Sequence, residues 1–135
     1  MTVQETLQDL NDLFSIFENP KDKFIQLMDM AKESEGLPDS EKTDHNKIYG
    51  CTSQAWVVGD RGNNSTFIFR TESDAMIVKG LLVLLEKIFS GKPVDEILSV
   101  SSADILNSVG LDGAVTSQRT NGFSSAVEKI QGIVK

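Results

Sequence analysis

The chain has 135 residues, of which 39% are hydrophobic and 24% are charged. These values predict one soluble globular domain spanning residues 1–135 and exclude a disordered or fibrous chain. The 13 basic and 20 acidic side chains give a net charge of −7, which argues against nucleic-acid binding and favours partners with basic patches.

The N-terminal segment, residues 1–12, is polar and acidic, whereas a secretory signal needs a cationic flank and an apolar centre. The longest apolar stretch, residues 81–85, is too short to span a bilayer. We therefore expect a cytoplasmic protein without a membrane partner. The reducing conditions of that compartment suit an unpaired thiol.

The first half of the chain begins with two helical patterns. Thr2 and Glu5 have the spacing of a capping box, and apolar residues at helical spacing predict a first helix that ends at Phe17. Asn19, followed by a proline, predicts the start of a second helix. The segment 36–46 then mixes proline, serine and charges without a period, which indicates a surface loop.

Two strand patterns follow this loop. Residues 54–58 and 66–70 are rich in β-branched and aromatic side chains, and the turn-forming residues 59–64 between them predict a β-hairpin. A phosphate-binding glycine loop is disfavoured there, because no helix or Lys-Ser/Thr pair follows. Ile48 and Tyr49 predict a further strand. We therefore expect an α+β fold with a small antiparallel three-stranded sheet covered on one face by several helices.

The second half of the chain is predicted to be helical. Ser73 or Asp74 is expected to cap the longest helix, whose wide apolar stripe marks it as the central one. Gly91 ends that helix, a short helix spans residues 93–98, and another spans residues 101–110. The last amphipathic helix is marked by Phe123, Ala126, Val127, Ile130 and Val134.

Cys51 is the only cysteine of the chain. One thiol cannot close an internal disulfide, and it supplies a single ligand where structural zinc or an iron–sulfur cluster needs several. It can act as a nucleophile that carries a group. Gly50 would allow the sulfur to lie at the tip of a turn that enters a strand. The alternative interpretation is a small, inert, buried side chain.

Arg119 lies at the start of the last predicted helix, where the positive end of the helix dipole disfavours a cation. We interpret it as a partner for an anionic sulfur. The alternative is a surface arginine that binds Asp112 or a helix carbonyl.

His45 and the acidic residues of the loop have two interpretations each. His45 titrates near neutral pH and could act as a base for Cys51, but an exposed loop histidine is favoured. Asp39, Glu41 and Asp44 could hold a metal, but a solvated acidic loop is favoured.

Four stretches of the chain resemble the signature of the SufE family. They are Gly50-Cys51-Thr52-Ser53-Gln54-Ala55-Trp56, Ser73-Asp74-Ala75-Met76-Ile77-Val78-Lys79-Gly80, Thr116-Ser117-Gln118-Arg119-Thr120-Asn121-Gly122 and Gly36-Leu37-Pro38. They follow the family's order and span most of the chain. The chain departs from the pattern at Ala55, where valine is expected, and at the aliphatic Ile105 and Leu106, where an aromatic residue is expected.

The resemblance implies a sulfur acceptor that works with a cysteine desulfurase in iron–sulfur cluster assembly. Cys51 would take sulfur from the desulfurase persulfide, stimulate that enzyme, and deliver the sulfur to a cluster scaffold. Such a protein is a carrier and activator rather than a stand-alone enzyme. It is expected to bind no cofactor or metal, with pyridoxal phosphate held by the desulfurase.

The resemblance also implies roles for individual residues. Arg119 would stabilise the sulfur anion of Cys51, and the partner would be contacted by Asp74, Gly50, Thr52, Ser53 and Gln54. The protein is expected to be a monomer or a homodimer. Two other functions remain open: an autonomous thiol-dependent enzyme, and a scaffold of the IscU type that shares an iron–sulfur cluster between subunits.

Overall fold

The protein is described by a computed structural model that covers residues 2–51, 53–111, 115 and 117–135. Its helices are α1 (Val3–Phe14), α2 (Pro20–Glu33), α3 (Met76–Phe89), α4 (Val94–Leu98), α5 (Ser102–Val109) and α6 (Ser117–Val134). Its strands are β1 (Ala55–Arg61) and β2 (Phe67–Ser73), and short 3₁₀ turns lie at Asp39–Glu41 and Asn63–Ser65. The predicted α+β class is confirmed. None of the described helices is long and apolar enough to cross a membrane.

The helix ends are set by local capping contacts. Thr2 accepts a hydrogen bond from the Glu5 N–H at 3.1 Å, and its own N–H donates to the Glu5 carboxylate at 3.0 Å, so the predicted capping box is confirmed. Asn19 accepts from the N–H of the second residue of α2, also as predicted. The first helix nevertheless ends at Phe14 rather than at Phe17, because the Phe17 N–H donates to the Phe14 carbonyl at 3.1 Å in a three-residue turn instead of continuing the four-residue spacing of an α-helix.

The sheet is a single antiparallel hairpin in which Ala55 faces Ser73 and Arg61 faces Phe67. Its loop is shorter than predicted because Gly59 stays within β1. A Cβ on Gly59 would lie 2.8 Å from Ile133 Cγ2, so the glycine allows α6 to pack closely over the strand.

The expected third strand is not formed among the described residues. The Ile48 N–H donates to the Ala55 carbonyl at 2.8 Å, and the Val57 N–H donates to the Asn46 carbonyl at 2.9 Å. These two bonds make one isolated bridge. Gly50 then turns the chain with a φ of +98°, a conformation that ends strand pairing.

Helix α3 occupies the centre of the molecule, as its apolar stripe predicted, and it packs against α2, α6 and β2. Its side chains from Leu81 to Leu85, together with Ile88 and Phe89, are buried. A Cβ on Gly80 would overlap the Leu27 carbonyl, so this glycine lets α2 and α3 approach. The resulting core fixes the positions of α3 and α6, the two helices that form the walls of the site.

Candidate functional site

Cys51 lies in the turn between Gly50 and β1, with its side chain half-buried against α6. Its Sγ is 3.6 Å from the Gly122 carbonyl oxygen. A Cβ on Gly122 would lie 2.9 Å from the same sulfur, closer than van der Waals contact allows. The positive φ of Gly50 confirms that glycine permits this turn, and a Cβ at Gly50 would lie 2.5 Å from Ser125 Oγ. Two glycines therefore let the thiol rest on the helix.

A small cavity of about 20 Å³ lies beside the thiol, with room for about one water-sized group. Helices α3 and α6 form its walls. The cavity is lined by Cys51, Val78, Leu81, Leu82, Arg119, Gly122 and Phe123. Apart from Cys51 and Arg119, these lining residues carry no ionisable side chain.

The apolar surroundings set the protonation state of the thiol. Burial raises the pKa of Cys51, because removing the sulfur from water disfavours the thiolate. The resting side chain is therefore a neutral thiol at pH 7, and these surroundings disfavour the thiolate nucleophile.

Arg119 lies in the first turn of α6 and lines the same cavity as Cys51. Its guanidinium carbon is 5.9 Å from the centre of the Phe24 ring, a cation–π contact that helps to hold the side chain in place. The structure thus brings together two residues that are 68 positions apart in the sequence. The alternative partner Asp112 lies outside the described residues.

The expectation that Ser73 or Asp74 caps the central helix is wrong. The residue preceding α3 is Ala75, and no side chain caps that end. Instead, the Asp74 carboxylate accepts the Gln54 N–H at 3.1 Å, and the Asp74 N–H donates to the Gln54 carbonyl at 3.2 Å. Ser73 Oγ donates to that same carbonyl at 2.8 Å. Ser73 Oγ also accepts the Ala75 N–H at 3.2 Å, so Ser73 links the end of β2 to the residue before α3, whereas Asp74 binds the hairpin end at Gln54.

The other residues predicted to contact a partner lie around this turn. Ser53 is half-buried and Gln54 is exposed, whereas Thr52 lies outside the described residues. His45 is exposed, and its carbonyl accepts a hydrogen bond from Lys129 Nζ at 3.0 Å. It is not among the residues that line the cavity at Cys51.

The acidic loop before Cys51 is tied to the sheet. Both oxygens of Glu41 bind the Arg70 guanidinium, at 2.6 and 2.7 Å, and this pairing holds the pKa of Glu41 below its usual value. Asp39 forms a more exposed ion pair with Lys42 at 3.3 Å. The described part of the chain contains no group of three metal-binding side chains.

A further ion pair links two of the stretches singled out in the sequence, residues 36–38 and 73–80. Lys79 Nζ lies 3.1 Å from Glu72 Oε1, and Glu72 Oε2 accepts the Leu37 N–H at 3.4 Å. Burial alone would raise the pKa of Glu72, but the bonds from Lys79 and from backbone N–H groups hold it below its usual value. These residues support the framework of the site rather than line its cavity.

Gly122 ends one of the four stretches that resemble the family, but the sequence assigned it no role at the site. The signal was present, since glycine in a helix interior costs about 1 kcal/mol relative to alanine and often marks a close approach. Its neighbour Cys51 is 71 positions away, so the sequence does not show which group approaches.

Fold and site together define a small α+β domain that holds a single cysteine thiol in a turn, against a helix and beside an apolar cavity. Comparisons with known proteins agree on the family. The profile described as "SufE: Fe-S metabolism associated domain" matches residues 8–134. The chain belongs to the SufE family.

Individual relatives match over nearly their whole length. An uncharacterised SufE-like protein of Rhizobium meliloti (strain 1021) is 34% identical over 130 residues, which cover 93% of this chain and 92% of that protein. The sulfur acceptor protein CsdE of Escherichia coli (strain K12) is 28% identical over 130 residues, covering 96% and 88%. The solution structure of a hypothetical protein from Thermus thermophilus has the same fold, with a TM-score of 0.77, 19% identity and coverage of 96% and 93%.

Proposed function

We propose that the protein accepts sulfane sulfur from a cysteine desulfurase on Cys51 and delivers it to an iron–sulfur cluster scaffold. The observation that carries this proposal is the only thiol of the chain lying beside a cavity with room for about one further atom. The relative named as a sulfur acceptor supports the same role.

The transfer is a thiol–persulfide exchange. The Cys51 thiolate attacks the outer sulfur of the desulfurase persulfide, the sulfur–sulfur bond of that persulfide breaks, and the desulfurase cysteine leaves as a thiolate. Cys51 then carries a persulfide, and no net oxidation or reduction has occurred. We propose that docking moves Cys51 away from Gly122 and into water, since burial keeps the resting thiol protonated.

The cavity suits the product of this exchange. The outer sulfur of a Cys51 persulfide would enter the space between α3 and α6, where the apolar walls exclude water and oxidants. The Arg119 charge on the cavity wall would stabilise the sulfur anion. We propose that pyridoxal phosphate belongs to the desulfurase, and that this chain, as a monomer or a homodimer in the cytoplasm, binds no cofactor or metal of its own.

The carrier role fits the site better than an autonomous thiol enzyme does. Such an enzyme needs a base within reach of its nucleophile. The cavity at Cys51 is lined by apolar side chains and Arg119, and His45 is not among the described lining residues.

Mass spectrometry after incubation with a cysteine desulfurase and cysteine tests the proposal. The protein should gain sulfur in steps of about 32 Da on Cys51, and Cys51→Ser should gain none while keeping the fold. The serine variant should still bind the desulfurase but fail to stimulate it. Sulfur loading of the serine variant equal to that of the wild type would refute the carrier role.

Arg119→Ala tests the stabilisation of the sulfur anion. The variant should form the Cys51 persulfide but lose it to water or dithiothreitol several-fold faster, because the cavity no longer holds a positive charge. Arg119→Lys is the matched control and should restore part of the lifetime. If all three proteins lose sulfur at one rate, the Arg119 charge does not stabilise the sulfur anion.

A further inference from the structure

The two edges of the hairpin differ in how their backbone groups are bonded. Along the outer edge of β2, the Phe69 N–H donates to Ser90 Oγ at 3.0 Å, and the Phe67 carbonyl accepts from the Gly91 N–H at 2.8 Å. The Thr71 hydroxyl on this strand also donates to the Glu86 carboxylate. The outer edge of β2 is thereby covered at Phe67, Phe69 and Thr71 by the end of α3 and the residues that follow it.

The outer edge of β1 is closed over only half its length. Ala55 and Val57 bond to residues 46–48 through the isolated bridge. In an antiparallel ladder, alternate residues direct their backbone groups to the same edge, so Gly59 and Arg61 also present an N–H and a carbonyl there. None of the described residues forms a hydrogen bond with these four groups.

A groove lies beside Val57, Val58 and Gly59, where the covered half of the strand ends and the open half begins. It has a volume of about 540 Å³, and its opposite wall is the C-terminal part of α6. Gly132 on that wall leaves the groove wide, since a Cβ there would meet no atom within 4 Å. The groove lies about 15 Å along α6 from Gly122, so it is separate from the cavity at Cys51.

We propose that the open edge of β1 binds an extended acidic segment of a partner protein as a third strand. The N–H and carbonyl groups of Gly59 and Arg61 have the spacing that an added antiparallel strand needs. In such a complex, main-chain hydrogen bonds supply the affinity. The charged side chain in the groove is Lys129, and Arg61 ends the strand, so carboxylates on the segment would find complementary charge.

Charge also disfavours a second copy of this chain as the occupant. The register that joins Gly59 of one copy to Arg61 of the other would set the two Asp60 side chains opposite each other, and like charges in that position destabilise a sheet.

Amide hydrogen exchange and a capped hexapeptide of alternating valine and glutamate test this site. Bound peptide should slow exchange at Gly59 and Arg61 by at least about tenfold, while Phe69 and Thr71 on the covered edge stay unchanged. In the register that pairs the glutamates with Gly59 and Arg61, the carboxylates lie on the same face as Arg61 and α6. The same peptide with N-methyl groups on its glutamates keeps every side chain but loses the N–H groups that face this edge, and it should not bind. Unchanged exchange at Gly59 and Arg61, or equal binding of both peptides, would overturn the proposal.

Three variants separate backbone pairing from charge. Arg61→Pro removes one edge N–H and should weaken peptide binding about tenfold, whereas Arg61→Ala keeps that N–H and should weaken it less. Lys129→Glu should weaken binding of the glutamate peptide and strengthen binding of a valine–lysine version. Sulfur loading of Cys51 should stay unchanged in all three, so failure here is distinguishable from failure of the carrier role. Concentration-dependent protection of Gly59 without peptide, together with dimer formation, would assign the edge to a second copy instead.

Discussion

The contact between Cys51 and Gly122 determines whether the thiol is sheltered. The sulfur can rest on α6 only because residue 122 has no side chain. This arrangement uses a helix position at which alanine would otherwise be more stable by about 1 kcal/mol. Glycine at residue 122 therefore makes the helix less stable but leaves space for the thiol, and such local costs are common at functional sites.

Gly122→Ala should expel the thiol from its resting position. We expect Cys51 alkylation by iodoacetamide at neutral pH to become several-fold faster, because the displaced sulfur is more exposed and its pKa falls towards the usual value. The persulfide should also be lost faster.

Gly132→Ala is the matched control in the same helix. A Cβ there meets no atom within 4 Å, so this variant should gain up to about 1 kcal/mol of stability without any change at Cys51. Equal alkylation rates in wild type and Gly122→Ala would contradict the sheltering role of Gly122.

At the scale of elements, the hairpin holds the exit of the Cys51 turn. Gln54 is bonded on both sides, its N–H to the Asp74 carboxylate and its carbonyl to Ser73 and to the Asp74 N–H. The entrance of the turn is set by Gly50 and by the bridge at Lys47. The cysteine thus lies in a short segment fixed at both ends, and any movement during transfer must occur between these anchors.

Replacing Asp74 distinguishes anchoring from docking. Asp74→Ala removes the acceptor for the Gln54 N–H and should make Cys51 alkylation several-fold faster, whereas Asp74→Asn keeps an acceptor and should stay close to wild type. If the charge also guides docking, both variants should show a weaker salt dependence of desulfurase binding. Identical alkylation rates in the three proteins would leave Asp74 with no anchoring role.

The elements that could be predicted from sequence are those set by local contacts. The two residues of a capping box lie three positions apart, so the sequence alone reveals such a pair. The structure contains this box at Thr2 and Glu5 and again at Ser101 and Asp104. The roles of Asp74 and Gly122 depend on partners 20 and 71 positions away, which neither propensity nor spacing reveals. The third strand was predicted from Ile48 and Tyr49, two residues that favour strands. Their strand propensity does not reveal that the next residue, Gly50, turns the chain and ends the pairing.

At the scale of the whole molecule, the pKa of the thiol links the site to global stability. Burial raises the pKa of Cys51 above that of the unfolded chain. With rising pH, the unfolded chain therefore loses this proton first, so the free energy of unfolding decreases as the pH passes through the folded pKa. The contribution is fully present below the unfolded pKa, near about 8.5.

Comparison of wild type with Cys51→Ser isolates this contribution, because the rising negative charge of the rest of the chain affects both proteins equally. Between pH of about 7 and about 10, the urea midpoint of the wild type should fall more steeply than that of the serine variant. The half-buried Glu86, whose pKa is also raised by burial, is common to both proteins and does not contribute to the difference between them. Parallel pH profiles would show that Cys51 is as well solvated in the folded protein as in the unfolded chain. That result would contradict the inference that the resting thiol is sheltered from water.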